Sequence, residues 1–219
     1  MYNQFNDVKK SGYIISLVDI NDIERLNGKS ILSNDIFCIP RQKTDETESL
    51  IAIKLSVYYN MIQTAHIEDT DNITNCKCTY IQVIRDNILF NFIEDINFLY
   101  IKYSHIVDRI LKTLIDNNYN NQYILLNIEP KGHGRLERIY PAPIISLPGG
   151  TMEYKDNNCF KECAFREFYE ETLIDIKTLN YNILYVDKLK CNKYLYNNKS
   201  TYHVSYYFSI KLDNVMLSL

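Results

Sequence analysis

Within thirty residues, Leu147–Ile176 runs from an apolar stretch through a Pro148-Gly149-Gly150 turn into a helical pattern, LPGGTMEYKDNNCFKECAFREFYEETLIDI. Strand-like and helical runs mixed along one chain point to sheet and helices sharing a core, an α+β arrangement, and exclude collagen and coiled-coil rods. The whole chain holds only 6 Gly and 5 Pro in 219 residues, which leaves little room for a flexible linker. A single folded domain is the first expectation.

The other segments fit that expectation. Tyr13–Ile20 reads as a strand. Glu48–Ile62 has apolar residues at mixed spacing that favours a helix slightly. Cys76–Phe92 reads as two β-rich stretches around Asp86-Asn87, a hairpin, and Phe98–Ile115 as a helix ending in Asp116-Asn117-Asn118. Tyr123–Ile128 reads as a strand leading into a basic loop with Lys131, His133, Arg135 and Arg138. Ile139–Leu147, broken by Pro141 and Pro143, precedes the glycine turn. A helix over Cys159–Thr172 and strands over Tyr181–Lys190 and Thr201–Leu212 complete the reading.

Lys+Arg 24 against Asp+Glu 27 gives a formal charge of -3, which argues against coating nucleic acid by bulk charge and leaves a local basic groove open. The N-terminus has no small-residue cleavage pattern after its apolar run, and no stretch approaches the ~18 uncharged apolar residues of a membrane helix, so a soluble, cytoplasmic chain is expected. Cys38, Cys76, Cys78, Cys159, Cys163 and Cys191 then read as reduced thiols rather than disulfides or a zinc site.

The chemistry concentrates on the helix after the glycines. Asp156, Asn157 or Asn158 can cap it. At about 100° per residue, Glu167, Glu170 and Glu171 fall on one face, away from Phe165, Phe168 and Tyr169. Three unpaired carboxylates raise one another's pKa, a cost that a divalent cation removes, and oxygen-only ligands favour Mg2+ or Mn2+. Arg166 is placed for an i,i+4 pair with Glu170. The glycines let backbone come close to a ligand, and the Gly150 carbonyl can join the metal shell.

These residues resemble the Nudix box, G-x5-E-x7-R-E-U-x-E-E-x-G-U with U apolar. The matches are Gly150, Arg166, Glu167, Phe168, Glu170, Glu171 and Ile174. Asp156 stands for the first Glu, the loop after it is two residues longer, and Leu173 replaces the last glycine, which it would do only at a conformational cost. The resemblance implies a Nudix fold, a mixed sheet between helices, and a metal-dependent hydrolase of nucleoside diphosphate derivatives. Glu167, Glu170, Glu171 and Gly150 would be its metal ligands, with Glu170 as base, and Arg166 its orienting residue.

The missing glycine, the long N-terminal region and the helical segment before the box resemble the Nudix mRNA-decapping enzymes of large DNA viruses, poxviruses above all. That resemblance implies an N-terminal extension over 1–75 packed on a Nudix domain over 76–219, with the box at 150–174 and a helical insertion ahead of it. It also implies capped mRNA as substrate, host cytoplasm as location, no membrane and no obligate protein partner. Phe98 and Tyr202 would sandwich the methylated guanine, each ring adding stacking and cation–π energy of about 1–3 kcal/mol. Lys131 and Arg135 would contact RNA or cap phosphates. A small nucleoside diphosphate such as ADP-ribose is the alternative substrate, as in Nudix enzymes of insect viruses, and an inactive RNA-binding Nudix module is the reading from a different class. Nudix domains usually continue beyond the strand that holds Tyr202, so either a tail is missing or the N-terminal region takes its place.

Overall fold

The computed structural model describes residues 8–40, 49–64, 67–71, 76–82, 98–129, 144–195 and 199–216. In chain order its elements are β1 (Val8–Val18), α1 (Ile20–Arg25), β2 (Lys29–Ser33), β3 (Ile36–Pro40), β4 (Ser49–Lys54), α2 (Leu55–Thr64), β5 (Ile67–Asp71), β6 (Cys76–Gln82), β7 (Phe98–Ser104), α3 (His105–Asp116), β8 (Tyr123–Glu129), β9 (Ile144–Ser146), β10 (Gly149–Thr151), α4 (Phe160–Thr172), β11 (Asn180–Leu195) and β12 (Lys199–Asp213). Short 3-10 turns at Tyr154–Asp156 and Ile176–Thr178 flank α4.

The strands form one mixed, mostly antiparallel sheet with the path β11-β12-β1-β8-β9-β7-β6-β5. β1 is its hub. It runs parallel to β12, pairs antiparallel with β10 through Gly12↔Gly150, and meets β8 through Leu17↔Ile124. β4 joins β8 on the same sheet. Residues ahead of position 76 therefore supply strands in the middle of the sheet, so the stretch expected as an extension packed on the core is part of the core.

Successive residues of a strand face opposite ways, and β1 uses both faces. Ile15 and Leu17 pack with Tyr58 of α2 and Ile110 and Leu111 of α3, while Ile14 and Val18 pack with Ile23 of α1 and Phe165 and Phe168 of α4. The sheet thus lies between two helical layers, an α+β architecture. Both cores are closed to solvent at their centres, with Ile14, Ile15, Leu17, Ile110 and Phe168 fully buried.

Two segments depart from the sequence reading. Ser49–Lys54 is a strand and only Leu55–Thr64 is helical. Leu50, Ile51, Ala52 and Ile53 are all buried, and a strand covered on both faces has no alternation to distinguish it from a helix. Likewise Phe98–Ser104 is a strand, paired with β6 and β9, and the expected helix is confined to His105–Asp116. The Asp86-Asn87 hairpin lies outside the described residues; the described part of that run, β6, pairs with β5 and β7.

Gly12 lets α4 lie directly on β1. A Cβ there would sit 2.6 Å from the Phe160 carbonyl oxygen and 2.8 Å from the Ala164 Cβ. Gly12→Ala should therefore cost about 1–3 kcal/mol and lower the Tm by roughly 2–10 °C, read by thermal melting. An unchanged Tm would contradict so close a helix–strand contact.

Candidate active site

The glycine turn and α4 meet over the β1–β10 pair. Gly150 faces Glu167 so closely that a Cβ on it would lie 2.5 Å from the Glu167 carboxyl carbon. One turn further along, Glu171 Oε2 accepts from the backbone N–H of Gly149 at 2.9 Å and from the Asn127 side-chain amide of β8. Beneath the loop, the buried Cys163 thiol donates weakly to the Gly150 carbonyl at 3.6 Å. Burial pushes that thiol up to about 11, with Asp156 adding to the effect, so it stays protonated and unreactive.

Arg166 ties the loop to the helix. Its Nε and Nη2 donate to Asp156 Oδ1 and Oδ2 at 2.8 and 2.9 Å, a bidentate pair, and Nη2 also donates to the Thr151 carbonyl at 3.0 Å. The side chains of Arg166 and Asp156 are 12% and 3% exposed, so this ion pair is shielded from water. Asp156 also accepts from the Glu153 N–H at 2.8 Å, closing the 3-10 turn ahead of α4. Hydrogen bonds from Arg166 hold the Asp156 carboxyl below its ordinary range, and the same pair raises the Arg166 pKa.

The three glutamates share a helix face; Glu167 and Glu170 share one partner and Glu171 has its own. Arg166 Nη1 lies 2.9 Å from Glu167 Oε1 and 3.0 Å from Glu170 Oε2. Glu170, 45% exposed, also meets Lys155 Nζ at 3.2 Å, and Glu171 is held by Gly149 and Asn127. Among the described residues no group of three or more His, Cys, Asp or Glu side chains is placed to hold a metal ion. The expected convergence of carboxylates on one cation site is corrected accordingly: Glu167 and Glu170 share the Arg166 guanidinium, and Glu171 accepts from the Gly149 and Asn127 N–H groups. Burial pushes the Glu167 carboxyl above its ordinary range despite the pull of Arg166. A desolvated carboxylate seated on a glycine cradle, with a second one braced one turn away, is in kind a hard oxygen donor set that suits Mg2+ or Mn2+.

Some expectations about the loop and helix ends change. The residue before α4 is Cys159, not Asp156, Asn157 or Asn158, and no side chain caps the helix there. Asp156 serves Arg166 instead, while Asn157 and Asn158 turn the chain with φ of 49° and 60°. Leu173 does adopt the left-handed conformation at the helix end, with φ 59°, and its N–H reaches the Tyr169 carbonyl at 2.8 Å. Such a conformation costs a branched residue about 1–2 kcal/mol.

The two residues expected to sandwich a base lie on different strands. Phe98 opens β7 opposite Gln82, whereas Tyr202 lies on β12 opposite Val8. Four strand steps separate β12 from β7. Lys131 and Arg135 lie outside the described residues. Asn127 was not singled out by sequence, although an amide inside the apolar run Tyr-Ile-Leu-Leu-Asn-Ile is itself a signal for a buried polar task. No helix among the described residues is long and apolar enough to cross a membrane. A scan against protein-family models finds no match, and neither do searches of curated proteins and of solved structures.

The Asp156 shift has a definite sign. Its folded pKa lies below the ordinary 3.8, so its stabilisation is present above that value and is lost as pH falls through the folded pKa. Asp156→Asn should lower neutral-pH stability by about 2–4 kcal/mol, since Arg166 keeps Glu167 and Glu170, and the gap to the parent should narrow as pH falls through the folded pKa of Asp156. Denaturant unfolding of both proteins from pH 7 to pH 2.5 measures it; a pH-independent gap would contradict the pair's role.

Proposed function

We propose that this chain is a metal-dependent hydrolase of the Nudix type, acting on the pyrophosphate of the mRNA 5' cap to release 7-methyl-GDP and 5'-monophosphate RNA in the cytoplasm. The observation that carries the reading is the seating of Glu167 on Gly150 and of Glu171 on the Gly149 N–H, with Arg166 locked by Asp156. Glu167, Glu171 and the Gly150 carbonyl would hold Mg2+ or Mn2+, which supplies charge neutralisation at the phosphoryl oxygens and an acidified water. Glu170, the most exposed of the three glutamates, is the candidate base. Arg166 orients Glu167 and Glu170 and does not itself touch substrate. In the reaction, water adds to one phosphorus and one bridging P–O bond breaks, so that two phosphates leave with the methylated guanosine and one stays on the RNA.

Two other readings have their own support. The four strand steps between β12, which holds Tyr202, and β7, which Phe98 opens, favour a small nucleoside diphosphate such as ADP-ribose over the cap. The pairing of every glutamate with a donor favours a module that binds capped or 5'-phosphorylated RNA without cleaving it. Purified protein assayed with cap-labelled RNA, ADP-ribose and free cap analogue, each with Mg2+ or Mn2+, separates the three.

Glu167→Gln and Glu171→Gln should each lower turnover at least ~100-fold with an unchanged melting curve, because an amide replaces a carboxylate poorly as a ligand to a hard cation. Calorimetric titration with Mn2+ should show weaker binding in both. Full activity in both variants would sink the assignment.

A further inference from the structure

We propose that the open face of β11, β12 and β1 nearest the start of α4 is a platform for single-stranded RNA. Cross-strand partners share a face, so the register places Lys190, Val204 and Lys10 in one row and Lys188, Tyr206 and Gly12 in the next, with Tyr202 and Val8 before them. Gly12 meets α4 through Phe160 and Ala164, which fixes these rows on the α4 side of the sheet. The helix covers Gly12, Tyr206 and, through Phe165, Tyr181, and leaves the Lys188–Lys190 part of β11 open. Val8 and Val186 stay 46% and 43% exposed, Lys188 and Lys190 are exposed, and Tyr202 and Tyr206 are half-buried.

The chemistry of the face selects the occupant. Tyr206 leans on Phe160 with ring centroids 4.3 Å apart, and the Lys10 ammonium stands 5.9 Å from the Phe160 centroid. Aromatic rings interleaved with ammonium groups match stacked bases and their phosphates. No Asp or Glu occupies any of these register positions, on a chain whose formal charge is -3. The excess of positive charge is local, as recognition of an anionic strand needs. An apolar protein partner would want a continuous apolar patch, which Lys10, Lys188 and Lys190 interrupt, and three lysines fall short of the roughly 4–8 of an anionic-membrane site.

The platform also leads somewhere. Lys10 and Gly12 are alternate residues of β1, Gly12 pairs with Gly150, and the Met152 N–H donates to the Lys10 carbonyl at 2.8 Å. A strand lying along β12 and β1 therefore brings one end to the glycine cradle of Glu167. The inference deepens the decapping reading, since it seats the body of the RNA whose cap would be cut. It does not depend on hydrolysis.

Fluorescence anisotropy with a labelled, unstructured 12-nucleotide RNA lacking a cap, in EDTA, tests binding alone. The RNA should bind, and Lys188→Glu combined with Lys190→Glu should weaken it at least ~10-fold and flatten the salt dependence, by roughly 0.7 in log–log slope per lost phosphate contact. Tyr202→Ala should weaken it ~10-fold with little change in slope. Lys112→Glu, on the exposed side of α3, should change nothing, and melting curves confirm folding of each variant. Duplex RNA should bind at least ~10-fold more weakly than the single strand, while DNA of the same sequence tests whether the 2'-hydroxyl matters. No binding, equal binding of duplex, unaltered binding by the lysine variant, or binding to phosphatidylserine vesicles in place of RNA would overturn the proposal. Binding of uncapped RNA by a protein that cleaves none of the three hydrolase substrates would leave the platform standing and the hydrolase reading refuted; cleavage without such binding would do the reverse.

Discussion

The bidentate contact between Arg166 and Asp156 is the interaction on which the candidate site depends. Asp156 sits at the end of a 3-10 turn and Arg166 in the middle of α4, so their pairing sets the distance between loop and helix. Removing two charges from water is expensive and is offset here by two parallel hydrogen bonds, a backbone donor on Asp156 and a backbone acceptor for Arg166. Because Nη1 of the same guanidinium reaches Glu167 and Glu170, the anchor also orients the side chains proposed to do the chemistry.

Around this anchor the sheet supplies a rigid floor. β1 carries Gly12 under α4 and Gly150 beside it, and small residues at both positions let helix, loop and strand come into direct contact. Asn127 reaches the same place from β8 and, with the Gly149 N–H, fixes Glu171 from below. Three separate elements therefore hold Glu167 and Glu171, a precondition for a site whose ligands must not reorganise during turnover.

Where residue periodicity had one reading, the sequence was informative. α4 could be read from its apolar face, and β8, β11 and β12 from their alternating or β-rich runs, to within a few residues at the ends. Burial on both sides hid β4, because a strand with no solvent face has no alternation. β7 was hidden by the helix that follows it without a break, so that one apolar pattern covered both. At the site, spacing along the helix identified the glutamates and Arg166, since i,i+3 and i,i+4 relations are local. The partners of those residues were not legible. Asp156 lies ten positions from Arg166 and Asn127 forty-four from Glu171, distances that only the tertiary fold closes. The pairing of Phe98 with Tyr202 likewise rested on order along the chain and not on sheet order.

A double-mutant cycle on Asp156→Asn and Arg166→Gln, with unfolding free energy measured at neutral pH, tests most directly whether one buried pair builds the site. The account predicts a coupling of about 2–3 kcal/mol, the double variant being far less damaged than the sum of the singles. Additivity within ~0.5 kcal/mol would contradict it, and loop and helix would then be held together by packing alone.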